Sequence, residues 1–513
     1  MLEYMIVALL LLLVVIPAST GAWAGWTRQT GTQIAHQAVR SMQWTLLSFA
    51  LLALVVLAFP AQQLPELIRL HPLNWVMLSL ILLIGWVVVR FSQRYMAGEL
   101  RLGYYYRWLF LTFSAVILTV LANHLLLFLL GWMTISLALH RLLVFYPNRP
   151  RTVLAAHKKF IIARLGEFSL AVSFWLLYDH TGTANINEIL HQLQQHQGPL
   201  HGALVLASFG LALTALLKCA QLPVHGWLIQ VVDAPTPVSA LLHAGVINLG
   251  GFLLILFSPL MIQSSAANTL LLLVAGLSFV LSALIMQTRV SVKVRLAWST
   301  NAQMGFMLVE CAMGLYELAL LHLVAHSLYK AHAFLSAGST VQQHQLLRLS
   351  DSQGVTVASG AVSAMLVFGM TYIAAQWVGG SISLWLLLAV GFTSYLARTS
   401  HGVLDYVYAF SLVSLLLGVL TLWKGLASQW LGLPLNVVPS MVAEVSLLLL
   451  LTLLVAGSSL LAKQPSNLLL ARVQHAFFAG LYLDEWLTRL TQRLWPMRLS
   501  SGHTSASFNK YPY

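Results

Sequence analysis

The chain has 513 residues, of which 59% are hydrophobic and only 8% are charged, and its mean hydropathy is +0.82. Such a composition cannot supply the polar surface of a soluble protein of this size, so it indicates a membrane protein with many spans. The net charge of +13 does not indicate nucleic-acid binding, because the basic residues are spread over alternate loops, as the positive-inside rule describes.

Apolar segments follow one another almost end to end, and the bilayer requires each spanning segment to be a helix. About 14 to 15 spans are predicted, and the fold class is therefore an all-α polytopic membrane protein. In chain order the spans lie near 3–22, 42–60, 73–90, 108–125, 126–146, 160–178, 202–222, 237–258, 268–288, 294–315, 317–340, 355–378, 382–398, 403–423 and 440–462.

Basic residues cluster in loops of one parity, which we expect to face the cytoplasm of a bacterial inner membrane. They are Arg90, Arg94, Arg101, Arg107, Arg149, Arg151, Lys158, Lys159, Arg289, Lys293 and Arg295, together with the residues from Lys463 onward. With an odd number of passes, the N-terminus is then outside and the C-terminus cytoplasmic.

Three polar segments, 179–201, 341–354 and 463–513, lie between or after the spans, and none is large enough for a separate catalytic domain. The first is predicted to be an exterior loop with a short helix that begins near Asn185 or Asn187.

The tail stretch "HAFFAGLYLDEWLTRLTQRLW", residues 475–495, places most of its apolar residues on one helical face. We expect a cytoplasmic amphipathic helix that lies on the membrane surface or docks a partner, and the sequence does not decide between these alternatives.

The two cysteines, Cys219 and Cys311, are too few for an iron–sulfur ligand set or a disulfide framework. The sequence also lacks a Walker loop and a dinucleotide fingerprint. We therefore expect no cofactor in this chain and a transporter subunit without catalytic chemistry of its own.

The most informative stretch is "LHLVAHSLYKAHAFL", residues 321–335. Its four-residue spacing places His322, His326 and Lys330 on one helical stripe that rises roughly 12 Å. A lysine at the centre of a spanning helix costs at least about 2.5 kcal/mol, so such groups face a protein interior or a hydrated path. Both residue types exchange protons near neutral pH, which favours a proton relay. A zinc site is a less favoured alternative, because the helix offers no third ligand.

A second buried lysine, Lys218, lies five residues before Pro223. Proline frees a backbone carbonyl one turn back, and broken helices within a membrane usually line a pathway. Downstream, Asp233 precedes Pro235 and Pro237, which either break the helix or simply start the next one.

Three further ionisable residues lie within predicted spans. His243 occurs in an apolar run, and Glu167 is a candidate partner for a buried lysine, because an opposite charge offsets desolvation. Glu310 is left undecided.

The stretches "LLKCAQLPVHGWLIQVVDAPTPVSALLHAGVINLGGFLL" and "HLVAHSLYKAHAFLSAGS" resemble the proton-conducting antiporter-like family, which includes the L subunit of respiratory complex I and the large Mrp antiporter subunit. The resemblance covers about residues 85–345. It implies two inverted five-helix repeats, each with a broken helix. The expected organisation is N-terminal helices at 1–105, a first repeat at 106–258, a second at 259–400, C-terminal helices at 401–462 and the tail at 463–513.

By motif, Lys218 matches the lysine of the family's first broken helix, and the stripe of His322, His326 and Lys330 matches its second-repeat relay. His243 matches a family histidine, and Asp233 stands where the family usually has glutamate. These matches imply that the residues carry protons.

The departures from the family are equally specific. Met133 in "LGWMTISL" replaces the glutamate that pairs with the first lysine, so Glu167 is expected to substitute. The stretch "SAMLVFGMTYIAAQW" lacks the family's later lysine. Only residues 491–513 follow "LYLDEWLTRL", so we expect no lateral helix of the complex I kind.

A chain with these departures resembles the DabB-type membrane subunit of inorganic-carbon accumulation complexes. The resemblance implies an H+ or Na+ conducting subunit that drives a large cytoplasmic DabA-type partner, a zinc protein similar to carbonic anhydrase. The alternatives are a proton-pumping subunit of an NADH-quinone oxidoreductase, an Mrp Na+/H+ antiporter subunit, or an anchor in which the buried cations are scaffold.

Overall fold

The computed structural model describes residues 2–59, 66–196, 198–338, 357–378, 381–399, 403–430, 439–462 and 468–496. All named elements within these ranges are helices. They are α1 Leu2–Trp26, α2 Gly31–Ala58, α3 Pro72–Tyr95, α4 Leu102–Leu121, α5 Leu125–Leu143, α6 Pro150–Thr181, α7 Ile186–Gln195, α8 Gly202–Lys218, α9 Gly226–Gln230, α10 Thr236–Ala244, α11 Leu249–Leu256, α12 Ser258–Met261, α13 Ser265–Gln287, α14 Val292–Ala312, α15 Tyr316–Leu335, α16 Val357–Val378, α17 Ile382–Thr399, α18 Val403–Trp430, α19 Met441–Ala462, α20 Leu468–Phe478 and α21 Glu485–Leu494.

Each predicted span overlaps at least one of these helices. In the described parts of the chain, 10 helical segments are long and apolar enough to cross a membrane. The all-α polytopic class is therefore confirmed. The short helix predicted after residue 179 is confirmed as α7, whose N-cap residue Asn185 accepts hydrogen bonds from the backbone N–H groups of Asn187 and Glu188.

Helix α6 is longer than the sequence predicts. It begins at Pro150, where proline suits the first helical turn, and it ends at Gly182, which adopts a left-handed conformation with φ of 71°. The assignment of Lys158 and Lys159 to a cytoplasmic loop is therefore wrong. Both side chains lie within α6, where the residues are 0% and 5% exposed.

The break predicted at Pro223 is confirmed. Helix α8 ends at Lys218, and the chain is not helical again until Gly226. Side chains of neighbouring helices satisfy the freed backbone: Asn301 Nδ2 donates to the Ala220 carbonyl at 2.5 Å. The break therefore places Lys218 at the C-terminal end of a helix inside the bundle.

A second interruption, which the sequence analysis missed, separates α10 from α11. Gly245 ends α10, and a 3-10 turn over Val246–Asn248 precedes α11. Asn248 Nδ2 donates to the Ala244 carbonyl at 2.9 Å and to Ser327 Oγ at 2.5 Å. The interruption thus ties α10 to α15.

The tail does not form the single amphipathic helix that the sequence predicts for residues 475–495. Helices α20 and α21 are separated by a turn in which Gly480 and Leu481 have φ values of 71° and 56°. Helix α21 packs against α6, and Leu487 and Thr491 are buried in that contact.

Candidate functional site

The first cluster is a set of charged side chains on α6 and at the end of α8, beside a cavity of about 30 Å³. Its members are Lys159, Arg164, Glu167 and Lys218. Lys159 Nζ donates to the carbonyl and the hydroxyl of Ser136 in α5, at 2.6 and 3.1 Å. Lys218 Nζ lies 4.4 Å from the centre of the Trp132 ring, a cation–π contact.

Glu167 lines this cavity together with Lys218, but its ion pair is with a different residue. Its Oε1 accepts from Arg164 Nη2 at 2.7 Å, because residues three apart on a helix are neighbours. The expected direct pairing of Glu167 with Lys218 is therefore not found, and Glu167 acts on Lys218 only across the cavity.

Sequence reasoning placed Lys159 in a loop and missed its part in this cluster. It lies eight residues before Glu167 on α6, so the two occur on nearby faces of the same helix. That spacing could have shown that Lys159 belongs with Glu167 and Lys218.

The second cluster lies between α10, α14 and α15. Its members are His243, Glu310, His322, His326 and Lys330. His322 Nδ1 is 3.0 Å from Glu310 Oε2, and the rings of His322 and His326 are 6.4 Å apart. The predicted stripe is thus assembled in the protein interior. Glu310, whose role the sequence left undecided, contacts His322 at the N-terminal end of the stripe.

Lys330 is 0% exposed, and its ammonium has uncharged partners. Lys330 Nζ donates to Ser299 Oγ at 2.8 Å and to the Leu296 carbonyl at 3.2 Å. His243 stacks on Phe334 with ring centres 4.4 Å apart, which places it beside the same helix.

Both ring nitrogens of His243 and of His326 are buried without a hydrogen-bond partner in the described parts of the chain. Buried polar atoms normally have a hydrogen-bond partner, so these four nitrogens are exceptions to the rule. They are available to accept or donate protons, the chemistry for which imidazole is suited.

Helix α10 lies between the two clusters. Leu242 and Val246 line the cavity of the first cluster, whereas His243 contacts α15 in the second. The broken-helix segment therefore touches both groups.

Asp233, predicted to be part of the pathway, lies apart from both clusters. Its side chain is exposed, and its carbonyl accepts from Arg149 Nη1 at 2.9 Å. Pro235 and Pro237 flank the first residue of α10, so these prolines serve as a helix start.

The tail contact is formed by Asp484 and Trp495. Asp484 Oδ2 accepts from Lys158 Nζ at 2.6 Å and from Gln230 Nε2 at 2.8 Å. The Trp495 ring stacks on His157 at 3.9 Å. Burial raises the pKa of the Asp484 carboxyl above its ordinary value, and the Lys158 ammonium opposes that rise.

Gly226, the first residue of α9, permits this approach. A Cβ at this position would overlap with the Asp484 carboxylate. The Asp484 side chain thus packs directly against the segment that follows the Pro223 break.

Lysine, histidine and glutamate side chains buried among membrane-crossing helices are typical of proteins that move ions or protons. This fold and these clusters define that class. A family model supplies the more specific assignment: the chain belongs to the NADH:quinone oxidoreductase/Mrp antiporter transmembrane family, which matches residues 122–399.

The chain is also similar to individual members of this group. It is 48% identical over 443 residues to the probable inorganic carbon transporter subunit DabB of Hydrogenovibrio crunogenus, covering 83% of each chain. It is 32% identical over 526 residues to the probable subunit DabB2 of Halothiobacillus neapolitanus, covering 95% of each. To the NADH-quinone oxidoreductase subunit L of Escherichia coli it is 31% identical over 53% of this chain and 44% of that protein.

A chain of the Mrp complex from Dietzia sp. DQ12-45-1b has the same fold, with a TM-score of 0.56 and 21% identity. The match covers 95% of this chain and 57% of that one. Together these comparisons confirm the resemblance to the antiporter-like family.

Proposed function

We propose that the chain is the cation-conducting membrane subunit of a complex that accumulates inorganic carbon, as CO2 or bicarbonate. The cation is H+ or Na+, and its flow drives a cytoplasmic partner similar to carbonic anhydrase. The observation that carries the proposal is the second cluster, in which imidazole and ammonium groups follow one another inside the bundle.

The geometry supports proton transfer along α15. Glu310 and His322 are in contact at 3.0 Å, and the next two members follow at intervals of one helical turn. Since Lys330 is bonded to a hydroxyl and a carbonyl, its ammonium is not fixed in a salt bridge. The side chain can therefore donate a proton as the ammonium and accept one as the neutral amine.

The relatives named inorganic carbon transporter subunits support the carbon substrate, because the chain matches them over most of its length. The proposed partner is a large zinc-containing DabA-type protein. The tail is the proposed docking surface for such a partner, and Asp484 joins α21 to Lys158 and to the segment after the helix break.

The alternative is a proton-pumping subunit of an NADH-quinone oxidoreductase or of an Mrp Na+/H+ antiporter. The similarity to subunit L and the fold of the Mrp complex favour it. The match to subunit L covers only 53% of this chain, so the carbon-transport proposal is preferred.

The function is tested by measuring cation flux into proteoliposomes that contain the purified complex, with imposed H+ or Na+ gradients in separate arms. We expect Lys330→Ala to lower the flux of the conducted ion by about a hundredfold, because a proton donor and acceptor is lost. His332→Ala is the matched control, since His332 is on the same helix but exposed. If Lys330→Ala leaves flux and growth without added CO2 unchanged, the buried cations are scaffold and the proposal fails.

Affinity purification of the full chain separates the two candidate complexes. The proposal expects a large soluble zinc protein to copurify with it. Recovery of quinone-linked respiratory subunits in its place would favour the alternative.

A further inference from the structure

We propose that the cavity of the first cluster binds a small monovalent anion, of the class of bicarbonate or chloride. The cavity lies on the proposed cation path and uses Lys218, so the inference deepens the proposed function. Its test is an equilibrium binding measurement that does not require conduction.

The first argument is the balance of charge. Arg164 and Glu167 form an ion pair with each other at 2.7 Å. Lys159 and Lys218 interact electrostatically, yet neither has a carboxylate within ion-pairing distance in the described parts of the chain. The cavity therefore has an excess of positive charge, which is costly in a low-dielectric interior unless a counter-charge is present.

The second argument is an excess of hydrogen-bond donors. An ammonium group has three N–H donors, and Lys159 directs two bonds to Ser136. Lys218 makes no hydrogen bond to a described residue and only faces the Trp132 ring.

Trp227 supplies an independent donor to the same cavity. The residue lines the cavity, is 4% exposed, and its Nε1 has no hydrogen-bond partner in the described residues. An indole N–H can only donate, so its natural partner is an acceptor. Two lysines and a tryptophan with an unpaired indole N–H thus line one cavity, a combination that suits an anion.

Size and surroundings restrict the ligand. The remaining walls are largely apolar, from residues such as Leu139, Ile162 and Ile247. An apolar enclosure strengthens the attraction between an ammonium group and an anion, because little water screens it. With a volume of about 30 Å³, the cavity has room for only a few water-sized groups, so it admits a small anion such as chloride or bicarbonate and excludes bulky organic acids. In the working subunit, a bound anion would offset the charge of Lys218.

The inference is tested by calorimetric titration of the full chain in lipid nanodiscs at pH 8. The probes are sodium bicarbonate and sodium chloride, with sodium gluconate holding the ionic strength constant. We expect saturable binding of bicarbonate, chloride or both. Lys159→Met should raise the Kd about tenfold, which is the effect of losing one charged hydrogen bond.

Trp227→Phe is the second variant, because it removes only the indole donor and keeps an aromatic ring. We expect it to raise the Kd several-fold. Lys330→Met, which removes a buried lysine outside this cavity, should leave the Kd within about twofold of the wild-type value.

Binding of bicarbonate alone would identify the ligand as the transported carbon species, and binding of both anions would identify a general counter-ion site. Lack of saturable binding by the folded wild-type chain would overturn the inference, as would a wild-type Kd in both the Lys159→Met and the Trp227→Phe variants. If the anion binds but Lys330→Ala retains full flux, the proposed function fails and the anion site stands.

Discussion

His326 and His332 lie on the same helix in opposite environments. His326 is buried with both ring nitrogens unpaired in the described residues, whereas the His332 side chain is exposed. Only the first can take part in a relay through the interior, since only the first has neighbours of the second cluster around it.

We therefore expect His326→Gln to lower proton flux about tenfold or more, because glutamine cannot exchange a proton near neutral pH. His332→Gln should leave flux within about twofold, as expected of an exposed side chain outside the relay. The measurement is dye-reported proton uptake by proteoliposomes with matched protein content. An equal effect of the two substitutions would remove His326 from the relay.

The residues of the first cluster illustrate what local sequence can and cannot show. Lys218 was identified as a site residue because a lysine five residues before a proline in an apolar segment is unusual. Lys159 was missed because it follows another lysine near the expected end of a span, a pattern that the positive-inside rule explains equally well. Only the position of α6, which begins at Pro150, shows that Lys159 is buried.

Helix α6 and the start of tail helix α21 are joined by an ion pair between residues far apart in sequence. Asp484 and Lys158 are 326 residues apart in sequence. The Lys158 side chain is 0% exposed and that of Asp484 is 24% exposed, so removing the carboxylate leaves a buried ammonium without its charged partner.

Asp484→Asn should destabilise the docked tail by about 2 kcal/mol. Trypsin cleavage after Arg489 and Arg493 should then accelerate roughly 30-fold, because cleavage follows the undocked population when docking is fast. The control is Glu485→Gln, which breaks an exposed pair with Arg489 and should cost no more than about 0.5 kcal/mol. Unchanged cleavage of Asp484→Asn would show that Trp495 and Leu487 hold the tail alone.

At the level of elements, apolar segment length predicted a helix at each of the 10 segments that are long and apolar enough to span in the described residues, because the bilayer fixes both the length and the helical state of a spanning segment. The kink at Leu481 and the interruption at Gly245 were not predicted. Both depend on contacts with other helices. The interruption after Gly245 is held by the hydrogen bond from Asn248 to Ser327 on α15, and the kink at Leu481 lets α21 pack against α6. Local periodicity carries no information about such contacts.

For the whole molecule, the charge pattern predicts an outside N-terminus and a cytoplasmic C-terminus. The two native cysteines, Cys219 and Cys311, are both buried, so introduced cysteines can be labelled with little background.

In intact cells, a membrane-impermeant maleimide should label His180→Cys, because the α6–α7 connection is expected outside. Asn148→Cys, in the α5–α6 connection, should react only after permeabilisation. Both side chains are exposed, so the two variants control for each other. The reverse pattern would invert the topology and the direction of the proposed ion flow.

Helix α10 lies between the two clusters. His243 faces the second cluster, whereas Leu242 and the following Val246 line the cavity of the first. Two unit charges separated by a helix diameter of about 10 Å interact by roughly 1.7 kcal/mol at an effective dielectric constant of 20. That energy corresponds to more than a tenfold change in proton occupancy. A proton gained or lost in one cluster can therefore change the protonation of the other through its electric field alone.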